Sequence, residues 1–110
     1  MPKRRLALTM GDPAGIGPEI IAKTCARLKG RLAAGELSLL VIGSAASLRP
    51  HENISGPIPP MGTNARSSPV AILDVDDGSA PVPLGVVSAR AGRLAYLAIE
   101  RAVQLALAGE

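Results

Sequence analysis

An α/β fold on a mostly parallel sheet, in three layers, is what this chain predicts, and three observations carry the prediction. Short apolar runs at residues 6–10, 38–42 and 69–75 alternate with helical patterns, and strands that alternate with helices call for parallel strands joined by crossovers. The middle run, Ser38 to Ile42, is continuous rather than alternating, as in a strand covered on both faces. The composition is 47% hydrophobic with one Tyr, no Phe and no Trp. The core must then be Ala, Leu, Val and Ile, which suits closely packed helix-on-sheet layers.

The elements follow in order. Leu6 to Met10 alternates as a strand, and Ile20 to Lys29 has helical periodicity. Between them lies Gly11-Asp12-Pro13-Ala14-Gly15-Ile16-Gly17-Pro18-Glu19. Pro18 suits the first helical position and Glu19 complements the positive helix end. Gly30 is expected as the C′ residue of that helix, with Gly35 in the connection to the second strand. Gly43-Ser44 opens a turn or short helix to Leu48. Residues 50–69 hold five prolines and are expected to form an irregular proline-rich loop. Pro69 to Val75 is a third strand, Asp76-Asp77-Gly78-Ser79 a turn, and Pro81 and Pro83 keep the next segment extended.

The longest helix is expected from Ser88 to Ala108, with Ser88 as N-cap and Gly109 as the stop. Its polar residues Arg90, Arg93, Glu100, Arg101 and Gln104 share one arc of roughly 100° at helical spacing. The rest of its circumference is apolar or Tyr96, and such a helix needs cover on more than one side. The three strands and one other helix hardly supply it. The expectation is that residues 1–110 are the front portion of a larger protein with no internal boundary, or that a partner subunit covers the helix.

The first turn carries the chemistry. Gly11, Gly15 and Gly17 permit positive φ and close approach of another group. A bare, N–H-rich turn at a helix N-terminus suits an anion. A tight connection with no ligand explains the same glycines. The run has neither the Lys-Ser/Thr of a P-loop nor the G-x-G-x-x-G spacing of a dinucleotide turn.

Other classes recede. The single cysteine, Cys25, excludes an intrachain disulfide and lies on the inward side of the first helix, as a small buried hydrophobe. The net charge of +3 owes much to Lys3-Arg4-Arg5, but without aromatics to stack on bases no nucleic-acid partner is expected. The apolar run after those charges is too short for a signal peptide or membrane helix, so no membrane association and a cytoplasmic location are expected. His51 is expected to be a solvent-exposed loop residue, and Asp74, Asp76 and Asp77 receive no role.

The first run, directly after a strand, resembles the opening of the 4-hydroxythreonine-4-phosphate dehydrogenase family, NAD-dependent enzymes of pyridoxal phosphate synthesis. A second run, Gly85-Val86-Val87-Ser88-Ala89-Arg90-Ala91-Gly92-Arg93-Leu94-Ala95-Tyr96, continuing to Gly109-Glu110, resembles that family's G-x-x-S-x-x-x-G-x-x-A-Y helix. Gly43-Ser44 departs from the Gly-Asp often found there. The first run is also similar to the Gly-Asp-Gly-Ile-Gly-Pro-Glu opening of isocitrate and isopropylmalate dehydrogenases, which implies the N-terminal part of a two-domain fold with the active site in its cleft.

The resemblance implies oxidation of a secondary alcohol, that of 4-phosphohydroxy-L-threonine, by NAD (or NADP), followed by decarboxylation. It implies a divalent metal (Zn, Mg or Co) held by histidines across a homodimer interface. A phosphorylated hydroxy amino acid or sugar acid is the implied substrate, and D-threonate or D-erythronate 4-phosphate is the alternative. A non-catalytic interaction fragment of the same fold is the other class. Gly11, Asp12, Gly15 and Gly17 are the implied cofactor-binding residues bordering the cleft, with pinning of the turn as the other reading of Asp12. No catalytic or metal-binding residue is expected within this chain, so the chain alone is expected to be inactive.

Overall fold

The computed structural model describes residues 4–61, 69–75, 85 and 88–108. The elements are β1 (Arg4–Thr9), α1 (Gly17–Arg27), α2 (Lys29–Ala33), β2 (Leu37–Gly43), α3 (Ala45–Leu48), a 3-10 turn (Arg49–His51), α4 (Glu52–Ser55), β3 (Val70–Asp74) and α5 (Ala89–Leu107). The three strands form one all-parallel sheet in the order β1-β2-β3. Leu39 of β2 stands beside Leu6 of β1 and Val70 of β3, and Val41 beside Leu8 and Ile72.

The larger core lies on the face of these residues. Leu37, Leu39 and Val41 pack with Val70 and Ile72 of β3, Ile21 and Cys25 of α1, Leu32 of α2, and Leu48. α5 crosses the opposite face over β1 and β2, where Ala91 and Leu94 meet Ala14 and Val75 in a smaller cluster. β2 is therefore covered on both sides, and the expected three layers are present.

The end of the first helix differs from the expectation, with a local reason. Gly30 does not end the first helix. Leu28 caps α1, and the chain turns directly into α2, which contains Gly30. The left-handed stop is Gly35 (φ +76°). There Gly35 N–H donates to Leu32 O at 3.1 Å and Glu36 N–H to Arg31 O at 3.2 Å, the paired bonds of a Schellman motif.

The proline-rich stretch is also more regular than expected, since its first part is helical through the 3-10 turn and α4. Further on, Pro60 pairs with the outer edge of β3. Met61 N–H donates to Ile72 O at 2.8 Å, and Ile72 N–H donates to Pro59 O at 3.0 Å. The ladder uses only the carbonyl of Pro59 and the amide of Met61, so two prolines sit on an edge that costs them no donor. The segments expected as a turn at 76–79 and an extended run through Pro81 and Pro83 lie outside the described residues, as does Gly109.

Ser88 caps α5 as expected, its Oγ accepting from Ala91 N–H at 3.1 Å. Ser44 does the same for α3, accepting from Ser47 N–H at 3.2 Å. Of the wide apolar surface of α5, only Ala91, Leu94 and Ala98 are buried. Tyr96, Ile99, Val103 and Leu107 recur at helical spacing and stay exposed, Leu107 by 84%. Beside the last turns a groove of about 180 Å³ opens between α5 and the sheet, lined by Ala7, Leu40, Met61, Ala102 and Leu105 among others. No described helix is long and apolar enough to cross a membrane.

Candidate functional site

All three strands end at one edge of the sheet, tied there by three hydrogen bonds. Met10 N–H donates to Ile42 O at 3.0 Å, Val75 N–H to Gly43 O at 3.0 Å, and Ala45 N–H to Asp74 Oδ1 at 3.3 Å. In an open parallel sheet this carboxyl edge is where ligands bind. The first turn runs along it.

Each predicted residue of the turn has a local task. Gly11 has φ +73°, a left-handed conformation that glycine adopts without a side-chain clash. Asp12 Oδ1 accepts from Ala14 N–H at 2.8 Å, and Asp12 O accepts from Gly15 N–H at 3.0 Å. That is an Asx turn, so Asp12 does pin the loop. Gly17 has a packing reason: a Cβ there would land on the Met10 carbonyl oxygen. At Gly15 a Cβ would meet Asp12 O at 3.4 Å, an ordinary contact. The helix then begins with Gly17 and Pro18, Ile16 serving as N-cap without a side-chain bond.

Next to the turn is a cavity of about 330 Å³ lined by Ala14, Gly15, Ile16, Glu19, His51 and Gly85. His51 corrects an expectation. It stands half-buried on the 3-10 turn, which packs against α1, and lines this cavity instead of facing solvent from a distant loop. The fold thus brings a histidine beside the first turn. Gly85, which also lines the cavity, donates its N–H to Ala14 O at 2.7 Å and has φ +74°. Glu19 pairs with Lys23 at 3.4 Å across one helical turn, both half-exposed. Gly11, Asp12 and Gly17 are in the turn but do not line the cavity. Glu19 was legible only as a helix-end charge, and no local signal marked Ile16 or His51.

Cys25 is buried in the core, where burial raises its thiol pKa. Asp74 serves the strand-end bond already described, and Asp76 and Asp77 lie outside the described residues. Among the described residues no three His, Cys, Asp or Glu side chains are grouped to hold a metal ion.

No protein-family model matches the chain. Relatives are found along nearly all of it. A protein of Bradyrhizobium diazoefficiens, provisionally named a D-threonate 4-phosphate dehydrogenase, is 50% identical over 99% of this chain and 33% of its own length. The 4-hydroxythreonine-4-phosphate dehydrogenase of Prosthecochloris aestuarii is 36% identical over 94% of this chain and 33% of its own. The crystal structure of a 4-hydroxythreonine-4-phosphate dehydrogenase from Burkholderia phymatum superposes with a TM-score of 0.81 at 31% identity, over 99% of this chain. Along nearly its whole length the chain is similar to proteins named 4-hydroxythreonine-4-phosphate dehydrogenase or D-threonate 4-phosphate dehydrogenase. It spans about a third of the length of the curated relatives it matches, and 34% of the solved structure. The parallel sheet thus agrees with the fold of that solved structure.

Proposed function

We propose that this chain supplies the first layer of an NAD-dependent dehydrogenase that oxidises the secondary alcohol of a short hydroxy acid 4-phosphate. The observation that carries the reading is the cavity beside the first turn, at the carboxyl edge of a parallel sheet, in a chain similar throughout to enzymes named for that chemistry. Gly11, Asp12, Gly15 and Gly17 shape the turn that borders the cleft. Two candidate substrates are carried side by side, 4-phosphohydroxy-L-threonine and D-threonate 4-phosphate (with D-erythronate 4-phosphate). Identity to relatives named for the D-threonate enzyme is 37–50%, against 30–36% for those named for the 4-hydroxythreonine enzyme.

The reading extends to a two-domain cleft like that of isocitrate dehydrogenases, a homodimer, a cytoplasmic location and a divalent metal as Lewis acid. A catalytic metal needs about three protein ligands, and the described residues do not fit one. Its donors would come from outside them. The cavity does fit part of a nicotinamide cofactor, since it is concave, mainly apolar and edged by two polar side chains. When bound, that cofactor supplies the hydride acceptor. This chain's residues supply shape and orientation.

The test is a protein carrying this chain at the length of its relatives, assayed for NAD reduction on both 4-phosphates with zinc, magnesium or cobalt. Turnover on one of them is the expected result. A folded protein inert on both, with every metal, would leave the non-catalytic reading.

A further inference from the structure

We propose that the groove under the last turns of α5 binds the alkyl chain of a medium-length fatty carboxylate, with the carboxylate held by Arg5. The groove lies where β1 begins and α5 ends, at the other end of the strands from the first turn. Binding there does not depend on the dehydrogenase reading. α5 meets the sheet with its first half, where its buried residues Ala91, Leu94 and Ala98 lie. Side chains alternate along a strand, so Leu40, between Leu39 and Val41 of the larger core, stands on the α5 side. It belongs to the central strand of the sheet, yet it is only half-buried. The cause is a set of alanines. Ala7 is the partner of Leu40 on β1, and Ala102 and Ala106 line the groove from α5, one helical turn apart. Three methyl groups leave open the space that larger residues would fill, and a groove of about 180 Å³ remains.

Size and charge select the ligand. The groove is smaller than the ~300–1,000 Å³ of pockets for drug-sized molecules, so it suits a single alkyl chain and not a ring system. Its lining side chains are aliphatic apart from Met61 and Arg5. Met61 is unbranched and adapts its shape to a chain lying against it. Arg5 is the one charged residue of the lining, is exposed, and forms no ion pair among the described residues. It ends the basic run Lys3-Arg4-Arg5, which repels a cationic head group. Its guanidinium presents parallel N–H donors that match the two oxygens of a carboxylate. An apolar chain with an anionic end therefore satisfies both parts of the groove at once.

The experiment is NMR titration of the methyl-labelled 110-residue chain with hexanoate, octanoate, octanol and octylamine. Octanoate should shift the methyl signals of Leu40, Met61, Ala102 and Ala106. Each buried methylene adds about fourfold in affinity, so octanoate should bind about tenfold more tightly than hexanoate. Arg5→Gln should weaken octanoate about two- to fivefold, the worth of an exposed ion pair, and leave octanol unchanged. Ala106→Leu fills the groove from an exposed helix position and should abolish binding. Should that variant fail to fold, Ala102→Leu and the exposed Arg5→Gln decide. No response to octanoate, octylamine binding as tightly as octanoate, or unchanged binding in the filled variant would overturn the proposal. Shifts confined to Ile99, Val103 and Leu107 would place the chain on the exposed stripe and overturn it as well. Groove signals that move with protein concentration alone would seat a second copy there, with the same consequence.

Discussion

Replacing Gly17 with alanine adds one methyl group at the tightest backbone approach in the first turn. The new Cβ would overlap the Met10 carbonyl oxygen and lie 3.1 Å from the Met10 carbonyl carbon. Met10 has little freedom to withdraw. It is 3% exposed, its N–H is bonded to Ile42 O at 3.0 Å, and Gly43 sits against its side chain so closely that a Cβ there would fall 2.5 Å from Met10 Cβ. α1 then shifts off the end of β1, and the Met10–Ile42 bond is lost with it. Overpacking costs roughly 1–3 kcal/mol and a lost hydrogen bond about 1 kcal/mol more, so about 3 kcal/mol is expected. For a domain of this size that lowers Tm by roughly 10–20 °C. Gly15→Ala is the control. Its Cβ meets only Asp12 O at 3.4 Å, and a change within about 1 kcal/mol of the parent is expected. Thermal melts and urea titrations of both variants make the comparison. A Gly17→Ala protein melting within about 2 °C of the parent would refute the packing account, and Gly17 would then need a ligand to explain it.

Three further outcomes follow from the same structure. The exposed stripe Tyr96, Ile99, Val103 and Leu107 should make the 110-residue chain self-associate or bind a hydrophobic dye. Val103→Glu with Leu107→Lys should reduce both effects, and a monodisperse parent that ignores the dye would show that the stripe is too small to matter. Cys25, whose burial raises its thiol pKa, should react with a disulfide reagent far more slowly than the unfolded chain does. Because the native thiol keeps its proton to higher pH than the unfolded one, its contribution to stability is full below the ordinary thiol range and declines as pH rises through it. Cys25→Ser should remove that part of the alkaline decline, and rapid labelling of native protein at neutral pH would contradict the burial. The chain expressed alone should neither bind zinc tightly nor reduce NAD with either 4-phosphate. Stoichiometric zinc by calorimetry, or turnover above a no-enzyme control, would show a site in residues that have received no role.

What the sequence by itself determined is whatever is written in local periodicity and local hydrogen bonding. The continuous run 38–42 sits in a strand covered on both faces because a buried strand has no polar face to alternate. Ser88 caps α5 because its hydroxyl needs only the amide three residues on. The turn after β1 was legible from Gly, Asp and Pro, whose effects act within a few residues. Where two local signals competed, the sequence was ambiguous. Gly30 and Gly35 both suit a helix end, and only the path of the chain through α2 selects the one with positive φ. Tertiary structure decided the rest. Gly17 needs its missing side chain because α1 is folded back on the end of β1. His51, far from the turn in sequence, lines its cavity because the second crossover lays the 3-10 turn against α1. The composition of the proline-rich stretch showed a loop, but only the pairing of Pro60 with Ile72 shows that part of it borders the sheet. Local propensities act over a turn of helix or a pair of residues. Which distant residues share a cavity depends on how the elements pack, and no short window of sequence contains that information.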